Sequence, residues 1–136
     1  MENVDYTSTF ITVAPDFAGT TAREPVGATV AASTYALIAA SPYALRSSDV
    51  IFRVWADRHG VPADSSDEWS SFYATSRACL RSSDLGKRYG WGIHADADGR
   101  LALYPVGSPD YDALAAGTAP DGSAVTVKAA MRSSRR

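Results

Sequence analysis

The sequence contains little cysteine and little histidine. Its 136 residues include one cysteine, Cys79, and two histidines, His59 and His94, which lie far apart along the chain. A single cysteine excludes an internal disulfide bond and a cysteine-based zinc cage, and neither histidine has a second histidine at the spacing of a common metal motif. We therefore predict a protein with neither a metal site nor a cofactor.

The sequence also lacks a long apolar run and a strong net charge. No stretch approaches the roughly 18 consecutive apolar residues of a membrane-spanning helix. The opening MENVDYTSTF has neither the basic start nor the apolar run of a signal peptide. The net charge of -2 at pH 7 gives no broad attraction to nucleic acid or to an anionic membrane. We expect a cytoplasmic protein that has neither as a partner.

What the sequence does contain is a series of short elements typical of one domain, residues 1–136. It shows no internal repeat and no linker, and residues 131–136, MRSSRR, are predicted to form a frayed basic tail. The patterns predict a strand, three helices, a hairpin, a helix and a last strand, at residues 7–16, 28–41, 47–60, 65–76, 91–106, 108–117 and 124–131. This order predicts a single α+β domain, with helices packed on a mainly antiparallel sheet of about four strands.

The second predicted helix has the best-marked ends. Ser47 or Ser48 can accept hydrogen bonds from the free amides of a first turn, and Asp49 complements the positive end of the helix dipole. Gly60 can adopt the left-handed conformation that closes a helix, and Pro62 follows it. The β-branched and aromatic residues of VIFRVWA would also suit a strand, but these two ends favour a helix.

The predicted hairpin, WGIHADADGRLALYPV, allows two registers around its Asp-Gly step. A loop of two residues would mix apolar and polar side chains on both faces. A loop of three residues, 97–99, separates them, with one face carrying Trp91, Ile93, Leu101 and Leu103 and the other carrying Gly92, His94, Ala102 and Tyr104. We predict the loop of three residues. The small residues beside the histidine then leave room for a ligand or for a covering helix.

The segment RYGWGIH, residues 88–94, combines cations and aromatic rings in a way that predicts a site for a small anionic ligand. Guanidinium groups suit bidentate binding of anions, and aromatic rings stack on flat ligands. The predicted binding residues are Arg81, Lys87 and Arg88 for charge, Trp91 and Tyr104 for stacking, and His94 for a switchable hydrogen bond. The alternative is a solvated loop whose arginines pair with acidic residues.

A second candidate is the thiol of Cys79, which lies in the sequence between Arg77 and Arg81. Guanidinium groups close to a thiol favour its reactive thiolate form. The sequence thus allows an enzyme with Cys79 as nucleophile and His94 as base. The alternative is a cysteine that fills a small apolar space. No third residue at a recognisable spacing completes a triad, so the sequence leaves open whether the protein is an enzyme.

The aromatic residues allow a third hypothesis. Trp55, Trp69 and the seven tyrosines are expected to fill the core and its rim. If several were exposed on one patch, they would instead predict a homodimer interface.

Three blocks of the chain resemble a family of small bacterial proteins that is known as a domain of unknown function. These blocks are SPYALRSSDVIF, ACLRSSDLGKRYGWGIHADADGRLALYPVGSPDY and AMRSSRR, and the most specific part is CLR…KRYGWGIH. The resemblance runs over nearly the whole chain. It implies a single stand-alone domain, and it implies no particular reaction or ligand.

Overall fold

The computed structural model describes residues 1–133, and the last part of the predicted basic tail, residues 134–136, lies outside the described residues. The helices are α1 (Val30–Ala40), α2 (Ser47–Arg58), α3 (Ser66–Tyr73) and α4 (Pro109–Ala115). The strands are β1 (Thr9–Thr12), β2 (Trp91–Ala95), β3 (Leu101–Pro105) and β4 (Thr126–Ala129). Two short helical turns, Leu80–Ser82 and Leu85–Tyr89, lie between α3 and β2.

The strands form one sheet in the order β3-β2-β1-β4. The hairpin of β2 and β3 is antiparallel, and so is the pairing of β1 with β2, whereas β4 runs parallel to β1 at the edge of the sheet. The predicted α+β fold with a mainly antiparallel sheet is confirmed, with one parallel pair in addition. No helix within residues 1–133 has both the length and the apolar character that crossing a membrane requires.

The hairpin has the predicted register. Ile93 lies opposite Leu103 and His94 lies opposite Ala102. The Asp96 amide donates to the Arg100 carbonyl at 2.9 Å, which leaves residues 97–99 as the loop. Gly99 closes this loop with a φ of +85°, in the left-handed region that glycine adopts without strain.

The two faces of the sheet are covered differently. On the face that we call the closed face, Ile11 of β1, Ile93 of β2 and Leu101 of β3 pack in one apolar cluster with residues of α1 and α2. On the opposite face, which we call the open face, Phe10 packs with Tyr111 and Leu114 of α4 and with Ala119 of the loop that follows α4. Gly92 allows this packing, because a Cβ atom there would lie 2.3 Å from the Phe10 ring. Part of the room beside His94 is therefore filled by a covering helix.

The start of α2 corrects a sequence-based expectation. Ser47 and Ser48 do not cap the helix but lie inside its first turn. The Asp49 carboxylate accepts from the Arg46 amide at 2.9 Å, and Asp5 accepts from the Ser48 amide at 2.8 Å. Carboxylates thus accept from two amides at the start of α2. The positive end of the helix dipole also stabilises negative charge at this place.

The other helix starts follow the sequence more closely. Ser65 Oγ accepts from the Glu68 amide at 3.2 Å, and Ser108 Oγ accepts from the Tyr111 amide at 3.1 Å, as their positions before acidic first turns predict. Gly60 follows α2 with a φ of +65° and closes it as expected. Phe72 of α3 packs with Phe52 of α2, and Tyr111 of α4 packs with Phe10 on the open face.

Backbone groups at both edges of the sheet make hydrogen bonds outside it. Beside β3, the Tyr43 amide donates to the Leu101 carbonyl at 2.7 Å, and the Leu101 amide donates to the Leu45 carbonyl at 2.8 Å. Beside β4, Arg81 Nε donates to the Ala129 carbonyl at 2.7 Å. These bonds use backbone groups that an edge strand would otherwise present to another strand. The segment beside β3 also carries the Tyr43 ring around the edge to the open face.

Candidate functional site

The open face contains a pocket that α4 does not fill. It has a volume of about 240 Å³. We call it the His94 pocket, and its lining residues are Tyr43, His94, Asp96, Tyr104, Pro120 and Asp121.

Several elements of the fold bring these residues together. His94 and Tyr104 point to the same face because they lie on β2 and β3 in the register that pairs Gly92 with Tyr104. Tyr43 comes from the segment after α1, and it has a φ of +57°, in a region that tyrosine rarely adopts. Asp96 begins the hairpin loop, and Asp121 lies in the turn between α4 and β4.

Three of these side chains form one continuous series of hydrogen bonds. The Tyr43 hydroxyl lies 2.8 Å from Nδ1 of His94 and 2.7 Å from the Tyr104 hydroxyl. We call this series the Tyr104–Tyr43–His94 chain. The edge of one ring meets the face of the other where Tyr43 contacts His94, with centroids 5.5 Å apart. Tyr43 is thus the central member, and the other two are the ends.

The second ring nitrogen of His94, Nε2, makes no hydrogen bond within residues 1–133. It is also not among the fully buried unpaired polar atoms of that part of the chain, where Ser47 Oγ stands alone. Nε2 therefore keeps solvent contact, although His94 as a whole is only 5% exposed. The His94 pocket is where this contact can be made.

Burial favours the neutral forms of His94 and Tyr43. It lowers the pKa of His94 below the usual value for histidine, while the charges of Asp96 and Asp121 act weakly in the opposite direction. Burial also raises the pKa of Tyr43 well above the usual range, and the hydrogen bond with Tyr104 adds to this rise. A neutral imidazole has one nitrogen that donates and one that accepts. The hydrogen bonds of the Tyr104–Tyr43–His94 chain can accordingly all point toward Tyr104 or all point toward His94.

The mouth of the His94 pocket is acidic. Asp96 Oδ1 accepts from the amides of Asp98 and Arg100, each at 2.9 Å, which fixes its position in the hairpin loop. Asp121 Oδ1 accepts from the hydroxyl and amide of Ser123 at 2.6 and 2.9 Å, and these bonds lower the pKa of Asp121. With two aspartate side chains lining it, the pocket favours a neutral or cationic ligand over an anion.

The predicted anion-binding residues do not form one cluster. Of the six, His94 and Tyr104 share a pocket, whereas Trp91 lies on the closed face by strand alternation. The Trp91 ring contacts Tyr35 with centroids 5.1 Å apart, and its Nε1 donates to the Arg23 carbonyl at 2.9 Å. Trp91 is thus held by α1 and by the loop before it.

The three predicted cations are also separate from the His94 pocket. Arg81 donates to β4 as described, and Arg88 lies 3.6 Å from the carboxylate of Asp84 in an exposed ion pair. Lys87 lies half-buried on the turn Leu85–Tyr89. An anion-binding role for the predicted set stays a prediction.

Cys79 lines a different and larger cavity, of about 610 Å³. Its Sγ lies 3.3 Å from the Tyr6 hydroxyl, and burial and this contact raise the pKa of Tyr6, partly opposed by Arg81. Arg77 also lines this cavity, but its guanidinium lies over the Phe72 ring at 3.8 Å. The structure does not bring Cys79 to His94, since the two residues line separate cavities. A reactive thiol at Cys79 stays a prediction.

Sequence reasoning found two of the six lining residues of the His94 pocket, His94 and Tyr104, and missed the other four. Tyr43, Asp96 and Asp121 were not predicted to be site residues, although the last two lie in turns that the sequence marks with ADADG and PDGS. A loop acid directly after a predicted site strand is a usable signal for Asp96. Tyr43 carries no such signal, because its backbone conformation is unusual for its residue type.

Within residues 1–133 no group of three or more histidine, cysteine, aspartate or glutamate side chains is placed to hold a metal ion. The polar groups that the His94 pocket offers to a ligand are the two ends of the Tyr104–Tyr43–His94 chain and the two carboxylates at its mouth.

Comparison with known proteins gives a family but no activity. No curated protein and no solved structure matches the chain. A family described as "Family of unknown function (DUF6157)" matches residues 1–136, which include the three blocks that carry the resemblance. The chain belongs to this family of unknown function.

Proposed function

We propose that the protein binds a small polar molecule in the His94 pocket, through hydrogen bonds to Nε2 of His94 and to the hydroxyl of Tyr104. The observation that carries this proposal is a buried histidine that is held through one ring nitrogen and leaves the other without a protein partner within residues 1–133. Buried polar side-chain atoms usually have a hydrogen-bond partner, and at Nε2 of His94 solvent or a ligand in the His94 pocket can supply it.

The backbone of Tyr43 supports the same proposal. A left-handed conformation costs a non-glycine residue about 1–2 kcal/mol, and Tyr43 adopts it with a φ of +57°. This conformation places the Tyr43 hydroxyl between His94 and Tyr104. Strain of this kind tends to persist at sites where the geometry serves a function.

The size and charge of the His94 pocket limit the ligand. Its volume of about 240 Å³ is below the roughly 300–1,000 Å³ of pockets for drug-sized molecules. At about 30 Å³ per water, it accommodates a molecule of roughly eight non-hydrogen atoms. The carboxylates of Asp96 and Asp121 disfavour an anion here, so the ligand is neutral or cationic.

Binding is tested by NMR on ¹⁵N-labelled protein, with aminoacetone as a cationic probe, acetamide as a neutral probe and acetate as an anionic probe. We expect aminoacetone and acetamide to shift the imidazole signals of His94 and the amide signals of Asp96 and Asp121, with acetate much weaker. His94→Gln should weaken this binding at least tenfold. His59→Gln is the matched control, because His59 is exposed and bonds to its own helix at the Trp55 carbonyl.

Two results would overturn the proposal. One is that none of the probes shifts signals from the His94 pocket at millimolar concentration. The other is that His94→Gln and the wild type bind the probes equally well. The sequence-based predictions of a bacterial source, a cytoplasmic location and a homodimer are separate from this proposal and stay predictions.

A further inference from the structure

We infer that the Tyr104–Tyr43–His94 chain is a proton relay that interconverts the keto and enol forms of a small carbonyl compound. This inference rests on the proposed binding in the His94 pocket and adds a reaction to it. It assigns His94 Nε2 as the base at one end and the Tyr104 hydroxyl as the acid at the other end. Tyr43 joins them.

The geometry of the chain suits transfer between two atoms of one small molecule. Both ends line the same pocket, and the His94 and Tyr104 ring centroids lie 6.4 Å apart. The hydroxyl of Tyr43 is within hydrogen-bond distance of both other members, at 2.8 and 2.7 Å. A proton that enters at one end can therefore be matched by a proton that leaves at the other end.

The protons and electrons of the step balance without any further reactant. At the start, Nδ1–H of His94 donates to Tyr43, Tyr43 donates to Tyr104, and Tyr104 donates to the carbonyl oxygen of the substrate. Nε2 takes a proton from the neighbouring carbon, and the electron pair of that C–H bond becomes the enol double bond. The Nδ1 proton passes to Tyr43, the Tyr43 proton to Tyr104, and the Tyr104 proton to the substrate oxygen. The reverse step restores the chain.

Burial explains why a relay is needed here rather than a single acid or base. A lone histidine base would become an imidazolium, and a lone tyrosine acid would become a phenolate. Both ions are disfavoured here, since His94 is 5% exposed and Tyr104 is half-buried. In the relay each member gains one proton as it loses another, so no charge is created in the buried chain.

The substrate class follows from the pocket. It is a carbonyl compound of a few atoms that has a hydrogen on the carbon beside the carbonyl. The acidic mouth formed by Asp96 and Asp121 selects an uncharged compound or one with an ammonium group. Aminoacetone has all of these features, acetone lacks the ammonium group, and pyruvate replaces it with a carboxylate.

The test is the exchange of carbon-bound hydrogen for deuterium in D₂O, followed by NMR at neutral pD for these three compounds. We expect the wild type to accelerate exchange over buffer in the order aminoacetone, acetone, pyruvate. Tyr43→Phe should lower the acceleration about 10²–10⁴-fold, the usual contribution of positioned acid–base groups. Binding of aminoacetone by Tyr43→Phe should stay within about threefold, because Nε2 and Tyr104 remain.

Tyr35→Phe is the matched control, since the Tyr35 hydroxyl bonds to exposed Glu24 outside the His94 pocket. It should leave exchange unchanged. Binding of aminoacetone without accelerated exchange would overturn the relay and leave the proposed binding function intact. Exchange that survives Tyr43→Phe would also overturn it, since His94 would then act alone. Absence of binding would overturn both.

Discussion

Neighbouring residues of β2 have opposite surroundings, and the contrast shows how one strand builds both a core and a site. Ile93 is 1% exposed and lies among apolar residues from α1 and α2 on the closed face. His94, the next residue, is 5% exposed on the open face. There the His94 pocket is lined by Pro120 and Asp121 of the loop after α4, which ends at Ala115. Where the helix stops, a chain of polar groups takes the place of apolar packing.

The contrast also divides the segment RYGWGIH between two roles. Arg88 pairs with Asp84, and Trp91 is held on the closed face by α1. His94, at the other end of the segment, joins the His94 pocket. The structure thus separates Arg88 and Trp91 from the His94 pocket, and their predicted role in anion binding stays a prediction.

The largest effect is expected on the closed face. Ile93→Ala removes a fully buried side chain from a packed apolar cluster, and should lower the free energy of unfolding by about 2–5 kcal/mol. Urea denaturation measures this loss. Val127→Ala, at a side chain that is 41% exposed, is the control and should change stability by less than about 0.5 kcal/mol. Equal losses at both positions would contradict the assignment of the core.

A smaller effect is expected from Gly92→Ala, on the part of the open face that α4 covers. The added Cβ would lie 2.3 Å from Phe10 Cζ and 2.8 Å from Tyr111 Cε2, so both rings must move. Overpacking of this kind costs about 1–3 kcal/mol in the free energy of unfolding. Thermal or urea denaturation is the measurement. A variant as stable as the wild type would mean that α4 does not pack closely on Gly92.

Tyr43→Phe tests the uncovered part of the open face. The variant keeps the ring and removes the hydroxyl that bonds to His94 and Tyr104. We expect a loss of about 0.5–1.5 kcal/mol, because the site is close enough to solvent for water to replace part of the bonding. Tyr35→Phe, in urea denaturation under the same conditions, should lose less. If Tyr43→Phe is instead more stable than the wild type, the hydrogen bonds of the Tyr104–Tyr43–His94 chain do not stabilise the fold.

Much of the contrast between the two faces of the sheet could be predicted from the sequence. The hairpin register followed from the separation of apolar and polar residues, and it placed His94 and Tyr104 on one face. Helix starts at Ser65 and Ser108 followed from local patterns, because a cap contacts amides only three residues away. Local hydrogen bonds and strand alternation are properties that a short stretch of sequence determines.

The rest depends on contacts between distant parts of the chain. The first turn of α2 is satisfied by Asp5, 43 residues earlier, so the serine pattern alone predicted the wrong cap. Tyr43 reaches His94, 51 residues later, through a backbone conformation that its residue type does not favour. The parallel pairing of β4 with β1 likewise joins the two ends of the domain. Such contacts are decided by the packing of the whole fold.

The smallest expected effect is a pH dependence confined to the open face. Burial lowers the pKa of His94 in the folded protein, against the charges of Asp96 and Asp121 and beside the hydroxyls of Tyr43 and Tyr104. The unfolded chain then binds a proton more readily, so stability should fall as pH drops below about 6.5, the ordinary pKa of histidine, and level off below the folded pKa. The slope contributed by His94 fades as pH rises more than about one unit above 6.5, where the histidine is neutral in both states.

Urea denaturation of the wild type, His94→Gln and His59→Gln between pH 5 and pH 8 measures this contribution. Carboxylates add their own pH dependence to all three proteins, so the informative quantity is the difference between the wild type and each variant. We expect this difference to change with pH for His94→Gln, with the wild type losing stability faster as pH falls. Parallel profiles for the wild type and His94→Gln would mean that the histidine is no less basic in the fold than in the unfolded chain. That result would contradict the lowered pKa of His94 in the fold, whereas the relay is decided by the exchange experiment with Tyr43→Phe.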